Sequence, residues 1–249
     1  MKTLLSLFDY SGTWSAPFAE NRWNVIQWDI KLAEFMDLNL VDSAETAFEL
    51  FDNVDAIIAA FPCTEFAVSG AKHWSAKNPK LLKDAVELVN QVERLVDLYK
   101  PTDPDYDDVF FWAAENPVGR VATVTNLGKP SLYFDPCDYA GYNDISDADL
   151  RRLDQIRAKN GHDITKEEAD FILSTNTYTK KTCLWGQFNS PEKKRIEPVK
   201  GSPFGSVMMR YGGKGAKTKE MRSNTPAGFA EAFYQANKDR IFDFDRDWE

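Results

Sequence analysis

The chain has 249 residues, of which 43% are hydrophobic and 28% charged. This composition is typical of a globular domain with enough apolar mass for a sizeable core. No apolar stretch approaches the roughly 18 residues that a membrane span needs, and no signal segment is recognisable, so we expect a cytoplasmic protein without a membrane partner. The net charge of −9, taken alone, argues against a nucleic-acid partner.

The charge is distributed unevenly along the chain. Residues 179–222 contain 11 Lys and Arg against 3 Glu, so this segment carries +8 on an otherwise acidic protein. This segment can be interpreted as one basic face of the protein that binds phosphate groups. A solvent-exposed, lysine-rich loop is an equally good interpretation.

The cysteines restrict the kinds of site. Cys63, Cys137 and Cys183 are an odd number without a CxxC pair, which argues against a disulfide framework. Cys137, Cys183 and His162 have no zinc-site spacing, so no metal is expected.

Four continuous apolar runs in the first half predict strands that are buried on both faces. They cover residues 3–8, 25–28, 55–60 and 109–113. Between the third and fourth runs, apolar residues recur at helical spacing from Leu81 to Tyr99, and Pro101 ends this helix. Strands that alternate with a helix in this way imply right-handed parallel crossovers, and hence an α/β fold.

The second half is less regular. A helix is expected to begin at Thr225, a good N-cap, with Pro226 at the first helical position. Residues 147–159 have helical composition, and residues 163–168 resemble a helix start. Residues 201–215 are rich in Gly and Ser and are expected to form a loop.

Polar or special residues follow all four runs, at the sheet edge where open α/β sheets bind ligands. The first turn contains a single glycine, Gly12, and matches neither the dinucleotide fingerprint nor the phosphate loop. Asp29 ends the second run, where an acid usually accepts hydrogen bonds from a ribose diol; a surface aspartate at a strand end is an equal alternative. Asp42 precedes the third run and is placed to accept from an adenine amino group.

Cys63 and Glu115 end the third and fourth runs. Cys63 follows Phe61 and Pro62 and is a candidate nucleophile, although a buried structural cysteine is the more common case. Glu115 follows apolar residues, and partial desolvation favours its protonated form. A cysteine and a glutamate at adjacent strand ends suit covalent catalysis.

In this order the motifs resemble those of the DNA (cytosine-5) methyltransferase family, in a small, phage-like form. Residues 10–14 resemble its cofactor motif, 60–70 its Pro-Cys motif and mobile catalytic loop, 115–117 its ENV motif, 181–186 the end of its QxRxR motif, and 222–224 its last motif. Departures include Trp14 for the second glycine, Pro117 for Val, and Thr179 and Lys181 at the two Arg positions. Only 36 positions separate Gly186 from Arg222, which leaves room for a small recognition region alone.

The resemblance implies a Rossmann-like, S-adenosylmethionine-dependent methyltransferase fold: a mostly parallel sheet with helices on both faces, and a small irregular target-recognition region. Residues 1–178 would form the catalytic core, with a less regular insertion at about 119–178. Residues 179–222 would complete the core and provide the basic recognition region, and residues 223–249 would form a C-terminal helix that returns to the core.

The resemblance also implies roles for individual residues. Cys63 would add to C6 of a cytosine, Glu115 would contact N3, and Lys181 would contact O2. S-adenosylmethionine would be bound by Tyr10, Ser11, Gly12, Thr13, Trp14, Asp29, Ile30, Asp42, Phe61, Pro62 and Asn224. DNA would be bound by Thr64, Ser69, Asn116, Pro117, Arg120, Lys214 and Lys217.

Two alternatives stay open. The first is a related thiol enzyme that acts on RNA or a free nucleotide, or that adds a group other than methyl. The small recognition region favours it, and the basic segment speaks against free nucleotides. The second is a non-catalytic relative that holds DNA or the cofactor, and the presence of both Cys63 and Glu115 counts against it.

Overall fold

A six-stranded sheet forms the centre of the computed structural model, which describes residues 1–29, 31–32, 51, 53–101, 110–159, 163–199 and 223–239. The strands are β1 Thr3–Leu7, β2 Asn24–Trp28, β3 Ala56–Ala60, β4 Phe111–Pro117, β5 Leu132–Phe134 and β6 Thr182–Gln187. Their order is β2-β1-β3-β4-β6-β5. Strands β1 to β4 run parallel, β6 is antiparallel to β4, and β5 is antiparallel to β6. The predicted α/β class with a mostly parallel sheet is confirmed.

The helices are α1 Ala16–Glu20, α2 Pro79–Tyr99, α3 Val121–Val124, α4 Asp147–Arg157, α5 Lys166–Ser174 and α6 Ala227–Asn237. Helices pack on both faces of the sheet, as predicted, with α2 on one face and α1 and α6 on the other. Side chains alternate along β3, so Ile57 and Ala59 join the core under α2, whereas Ala56 and Ile58 join the core under α6. Within the described ranges, no helix is both long and apolar enough to cross a membrane.

The strand order changes direction at β1, because β2 lies on one side of β1 and β3 lies on the other. The chain passes from β1 outward to β2 and then returns to β3 on the other side of β1. A reversal of this kind opens a crevice beyond the carboxyl ends of the two strands, where ligands of open α/β sheets bind. The turns that follow β1 and β3 both lie at this crevice.

Two element boundaries differ from the sequence-based expectation. The fourth strand does not stop before Glu115: it continues to Pro117, because β6 pairs with this stretch from Thr182 onward. The last helix begins at Ala227 with Pro226 as its N-cap residue, so Thr225 does not cap it.

The interval 119–178, predicted to be a less regular insertion, contains α3, β5, α4 and α5. Strand β5 is the edge strand of the main sheet, so part of this interval belongs to the core architecture. Helices α4 and α5 share a separate small core, which Val199 from the segment after β6 helps to fill.

Candidate active site

Glu115 lies near the carboxyl end of β4, and Cys63 lies in the turn that follows the neighbouring strand β3. The register pairs Ala60, the last residue of β3, with Glu115 of β4. Cys63 comes three residues after Ala60 and opens a single 3₁₀ turn, Cys63–Glu65. Its side chain is half-buried, whereas Cys137 and Cys183 are buried. Among the three cysteines, Cys63 is therefore the most accessible at the sheet edge.

The carboxyl group of Glu115 is almost completely withdrawn from water. The residue is 4% exposed. Burial raises the pKa of Glu115; the charge of Lys180 opposes this effect, and that of Asp9 adds to it. The predicted desolvation is confirmed in direction, and a carboxylic acid that keeps its proton at higher pH can donate a hydrogen bond to a ring nitrogen.

Asn116 faces the opposite side of β4 from Glu115. It is 0% exposed, and its side-chain Nδ2 donates to the Phe61 carbonyl at 2.9 Å. This bond joins β4 to the turn that carries Cys63. The substrate-binding role expected for Asn116 is therefore not the one that its placement supports, because its side chain is enclosed in protein. Pro117 is half-buried and pairs with Thr182.

Asp9, which the sequence analysis did not select, organises the turn after β1. It is 4% exposed. Its carboxylate accepts from the Ser15 backbone N–H at 3.1 Å and from the hydroxyls of Ser15, Ser6 and Ser11 at 3.0, 3.1 and 3.2 Å. Gly12, at φ +66°, lets this turn close. In the sequence, Asp9 could be recognised only as an acid that directly follows a buried strand and has serines nearby. That this acid organises the turn becomes visible only in the folded structure.

The aromatic residues of this turn separate into exposed and buried ones. Tyr10 is 39% exposed, and the Lys31 ammonium lies 4.5 Å from its ring centroid. Trp14 is 0% exposed and packs against Phe229 and Phe233 at centroid distances of 5.8 and 5.5 Å. A direct contact between the Trp14 side chain and a cofactor is therefore incorrect, since the ring fills the core.

The end of β2 lies beside this turn. Asp29 follows Trp28, which pairs with Leu7 at the end of β1. Asp29 is 9% exposed, and its Oδ1 accepts from the Lys31 backbone N–H at 2.9 Å. Four predicted binding residues lie outside the described residues: Ile30, Asp42, Lys214 and Lys217.

A cavity of about 330 Å³ joins the first turn to the start of the last helix. Thr13 lines one side of it, Asn224 and Thr225 line another, and the remaining walls come from α5 and the segment through Tyr178. The Thr225 residue is 4% exposed, and its hydroxyl has no hydrogen-bond partner. The structure thus brings together Thr13 and Asn224, two predicted cofactor residues from opposite ends of the chain.

Tyr178 lies on the wall of this cavity and is 5% exposed. Burial raises the pKa of Tyr178, and the charge of Glu115 raises it further. Neither Glu115 nor Cys63 is among the residues that line the cavity.

Lys181, the predicted base-contacting lysine, lies next to the end of β4. Lys181 is exposed, its ammonium lies 5.6 Å from the Tyr133 ring centroid, and its carbonyl accepts from the Val118 N–H at 3.1 Å. The lysine whose charge lowers the pKa of Glu115 is Lys180. Lys180 was not selected from the sequence, because the resemblance to the QxRxR pattern pointed to its neighbour Lys181.

The remaining predicted site residues belong to the Pro-Cys turn and its loop. Phe61 is buried with its ring 6.1 Å from that of Phe8, whereas Pro62, Thr64 and Ser69 are exposed.

Arg120 is engaged with the protein itself. Its Nε donates to the Glu65 carbonyl at 2.8 Å, and its guanidinium lies 4.3 Å from the Trp74 ring centroid. The structure therefore does not support the expected direct DNA contact of Arg120.

No protein-family model matches the chain, and no curated protein matches it significantly. The functional conclusion therefore depends on the chemistry of the site.

Proposed function

We propose that the protein is a DNA cytosine-5 methyltransferase that uses S-adenosylmethionine and a covalent adduct with Cys63. The observation that carries this proposal is the pairing of a half-buried cysteine with a buried glutamate at adjacent carboxyl ends of parallel strands. The two groups offer a nucleophile and a proton donor at one edge of the sheet.

The chemistry requires both groups. The C5 atom of cytosine is a weak nucleophile, and addition of the Cys63 thiolate to C6 turns the ring into an enamine that is nucleophilic at C5. Protonated Glu115 donates to N3 and stabilises this adduct. C5 then accepts the methyl group and loses its proton to solvent, the C6–S bond breaks to release the thiolate, and N3 returns its proton to Glu115.

The residues present fit S-adenosylmethionine, which supplies an electrophilic methyl group when bound. Thr13, Asn224 and the unpartnered Thr225 hydroxyl line the cavity at the N-terminus of α6. A helix N-terminus favours a negative group, and we assign this end to the carboxylate of the cofactor. We assign Asp29, which follows β2, to the ribose hydroxyls, because an acid at this strand end commonly accepts from a ribose diol.

The DNA contacts that we propose lie mainly beyond residue 199. Lys193 and Arg195 belong to the basic segment, yet both form ion pairs with Asp138, at 3.1 and 2.5 Å. The single carboxylate of Asp138 offsets about one of these two positive charges. Phosphate contact is expected from the later residues Lys214 and Lys217 instead.

The same edge of the sheet also offers an aromatic contact. Tyr133 is 41% exposed beside Lys181, and such pairs suit an unstacked base next to a phosphate. An unstacked target is required because a cytosine within duplex DNA must leave the stack before Cys63 can reach it.

The decisive experiment is incubation of the protein with methyl-labelled S-adenosylmethionine and one of three substrates: duplex DNA, RNA or free cytidine nucleotides. Nucleoside mass spectrometry should find 5-methylcytosine in DNA. Label in RNA or in nucleotides alone would support the related thiol enzyme instead. The absence of label in all three, together with no calorimetric binding of S-adenosylhomocysteine, would exclude the methyltransferase assignment.

The nucleophile is tested separately with DNA that contains 5-fluorocytosine. Fluorine cannot leave C5 as a proton does, so the wild-type protein should be trapped as a stable adduct on Cys63. Cys63→Ser should fold and bind cofactor without forming the adduct. The buried Cys137 and Cys183 provide matched controls, since Cys137→Ala and Cys183→Ala should leave the adduct intact. An adduct on either of these two cysteines would overturn the assignment.

A further inference from the structure

The loop that follows Cys63 is bound to the segment after β4. We call residues 63–77 the Cys63 loop. A β-bridge joins Ala67 to Gly119, the Val68 N–H donates to the Val118 carbonyl at 3.0 Å, and the Arg120 N–H donates to the Phe66 carbonyl at 3.0 Å. The loop that resembles a mobile catalytic loop is therefore held in place by backbone hydrogen bonds.

Arg120 contributes its side chain as well as its backbone. Its Nε donates to the Glu65 carbonyl at 2.8 Å, and its guanidinium stacks on Trp74, 4.3 Å from the ring centroid. One residue thus binds two successive carbonyls, those of Glu65 and Phe66, at the second and third positions after Cys63. The planar guanidinium is suited to this double role, because it can stack and donate at once.

Neighbouring residues complete the arrangement. The Lys77 ammonium donates to the Thr64 carbonyl at 2.7 Å and to the Glu65 carboxylate at 2.9 Å. A Cβ atom at position 119 would lie 1.9 Å from the Phe66 carbonyl oxygen, so only glycine permits this approach. The carbonyls of Thr64, Glu65 and Phe66 are all engaged, which leaves the backbone after Cys63 little freedom.

We propose that Arg120 is a positioning residue that fixes Cys63 for attack by holding the backbone directly after it. The nucleophile is then pre-organised before substrate arrives, and the loop does not have to close to build it. The catalytic consequence rests on the proposed function, whereas the restraint on the Cys63 thiol does not depend on it.

The restraint is measured by alkylation of the native protein with iodoacetamide, followed by peptide mass spectrometry. Arg120→Gln removes the guanidinium, so the loop should loosen and Cys63 should react about tenfold faster, as expected for the loss of one charged hydrogen bond. Arg120→Lys keeps the charge but loses the planar stack, and it should also accelerate the reaction. Cys137 and Cys183 should stay unreactive in each variant that has folded.

The chain offers a matched control for the cation–aromatic pair. Arg152 lies over Phe171 at 4.3 Å, the same distance as in the Arg120–Trp74 pair, but on α4, away from the Cys63 loop. Arg152→Gln should leave the alkylation rate of Cys63 unchanged. Trp74→Ala should behave like Arg120→Gln. Trp74→Phe should restore most of the wild-type restraint, because it keeps an aromatic face for the guanidinium and the indole N–H that it removes has no partner.

Turnover separates positioning from substrate binding. Arg120→Gln should lower kcat about tenfold and leave the KM for DNA within about twofold, since no contact to substrate is lost. If Cys63 reacts faster in the variant but the wild-type protein methylates nothing, the proposed function fails and the restraint stands. An unchanged or slower alkylation rate in both Arg120→Gln and Trp74→Ala, or a loss confined to the KM for DNA, would overturn the inference.

Discussion

Helices α2 and α6 cover opposite faces of one sheet with different kinds of side chain. The α2 face is mostly aliphatic, and α2 contributes Ala85, Val89, Val92, Leu95 and Val96 to it. The α6 face is aromatic and combines Phe229, Phe233 and Tyr234 of α6 with Trp14, Phe18, Phe111, Phe134 and Tyr139. Side-chain alternation along β4 also places Glu115 on the α6 side and Asn116 on the α2 side.

The two helices also begin differently. Asn78 caps α2 with its own side chain, whose Oδ1 accepts from the Lys80 N–H at 3.0 Å. The N-cap residue of α6, Pro226, has no capping side chain, and the Gly228 N–H donates instead to the Asn176 Oδ1 at 2.9 Å. The adjacent Thr225 hydroxyl is buried without a partner at the edge of a cavity. The comparison teaches that α2 is capped from within its own sequence, whereas α6 is capped by a distant residue beside a polar group that is left unpaired.

The largest effect on stability is expected from Trp14→Ala, on the aromatic face. The substitution removes a fully buried ring that contacts two phenylalanines, so it should cost about 3–5 kcal/mol. On the aliphatic face, Val89→Ala should cost about 2 kcal/mol. Denaturant unfolding of both variants measures the difference, and equal losses would contradict the contrast between the faces.

Gly228→Ala tests how closely α6 packs. Helix propensity alone predicts that alanine stabilises α6 by about 1 kcal/mol. A Cβ atom there would lie 2.4 Å from the Tyr139 carbonyl oxygen, so we expect instead a loss of about 1–3 kcal/mol from overpacking. The sign of the change in unfolding free energy distinguishes stabilisation by helix propensity from destabilisation by overpacking. Gln235→Ala, at an exposed position of the same helix, is the control.

Glu115→Gln, on the α6 side of β4, should raise stability and abolish the proposed activity in the same protein. Because the native pKa of Glu115 is raised, the native state holds its proton at pH values where the unfolded chain has lost it. Stability is therefore lost as the pH rises from the ordinary glutamate value through the raised one. The glutamine variant should unfold a few degrees higher at neutral pH, since each kcal/mol is worth roughly 2–4 °C at this size.

Thermal scans across pH measure this effect, and the wild-type dependence should flatten in the variant. Methylation should collapse in the same protein, because glutamine cannot share a proton with N3 in the same way. A variant that is less stable than the wild type at neutral pH would show that Glu115 is ionised and paired.

The smallest effects are expected from substitutions at the N-termini of α2 and α6. Asn78→Ala removes a cap and should cost about 1 kcal/mol, with no effect on S-adenosylhomocysteine affinity. Thr225→Val removes an unpartnered hydroxyl, so stability should hold or rise slightly, while affinity should fall about fivefold. Thermal unfolding and calorimetry on both variants provide the data, and a loss of stability without a loss of affinity in Thr225→Val would assign that hydroxyl to the fold.

The sequence predicts the sheet centre well because apolar runs and helical spacing are local signals. These signals place the strands that end near Asp29, Cys63 and Glu115, and they place the helix before Pro101. The roles of Trp14 and Asn116 could not be predicted in this way, since the direction of each side chain depends on which neighbours surround it. Lys180 and the restraint by Arg120 depend on contacts between distant segments, which no local pattern encodes. The partners of Asp9 are serines within six residues, but only the folded turn brings them together.

The packing of α6 against the first turn has a consequence for synthesis of the protein. Lys2 donates to the Lys238 carbonyl, 236 positions away, and Trp14 is covered by rings from the same late helix. At about 5–20 residues per second, a nascent chain exposes the Trp14 ring for on the order of 10–40 s before α6 is made. Strand β1 is thus made long before the helix that completes its burial, and contacts between residues so far apart in the sequence make folding slow.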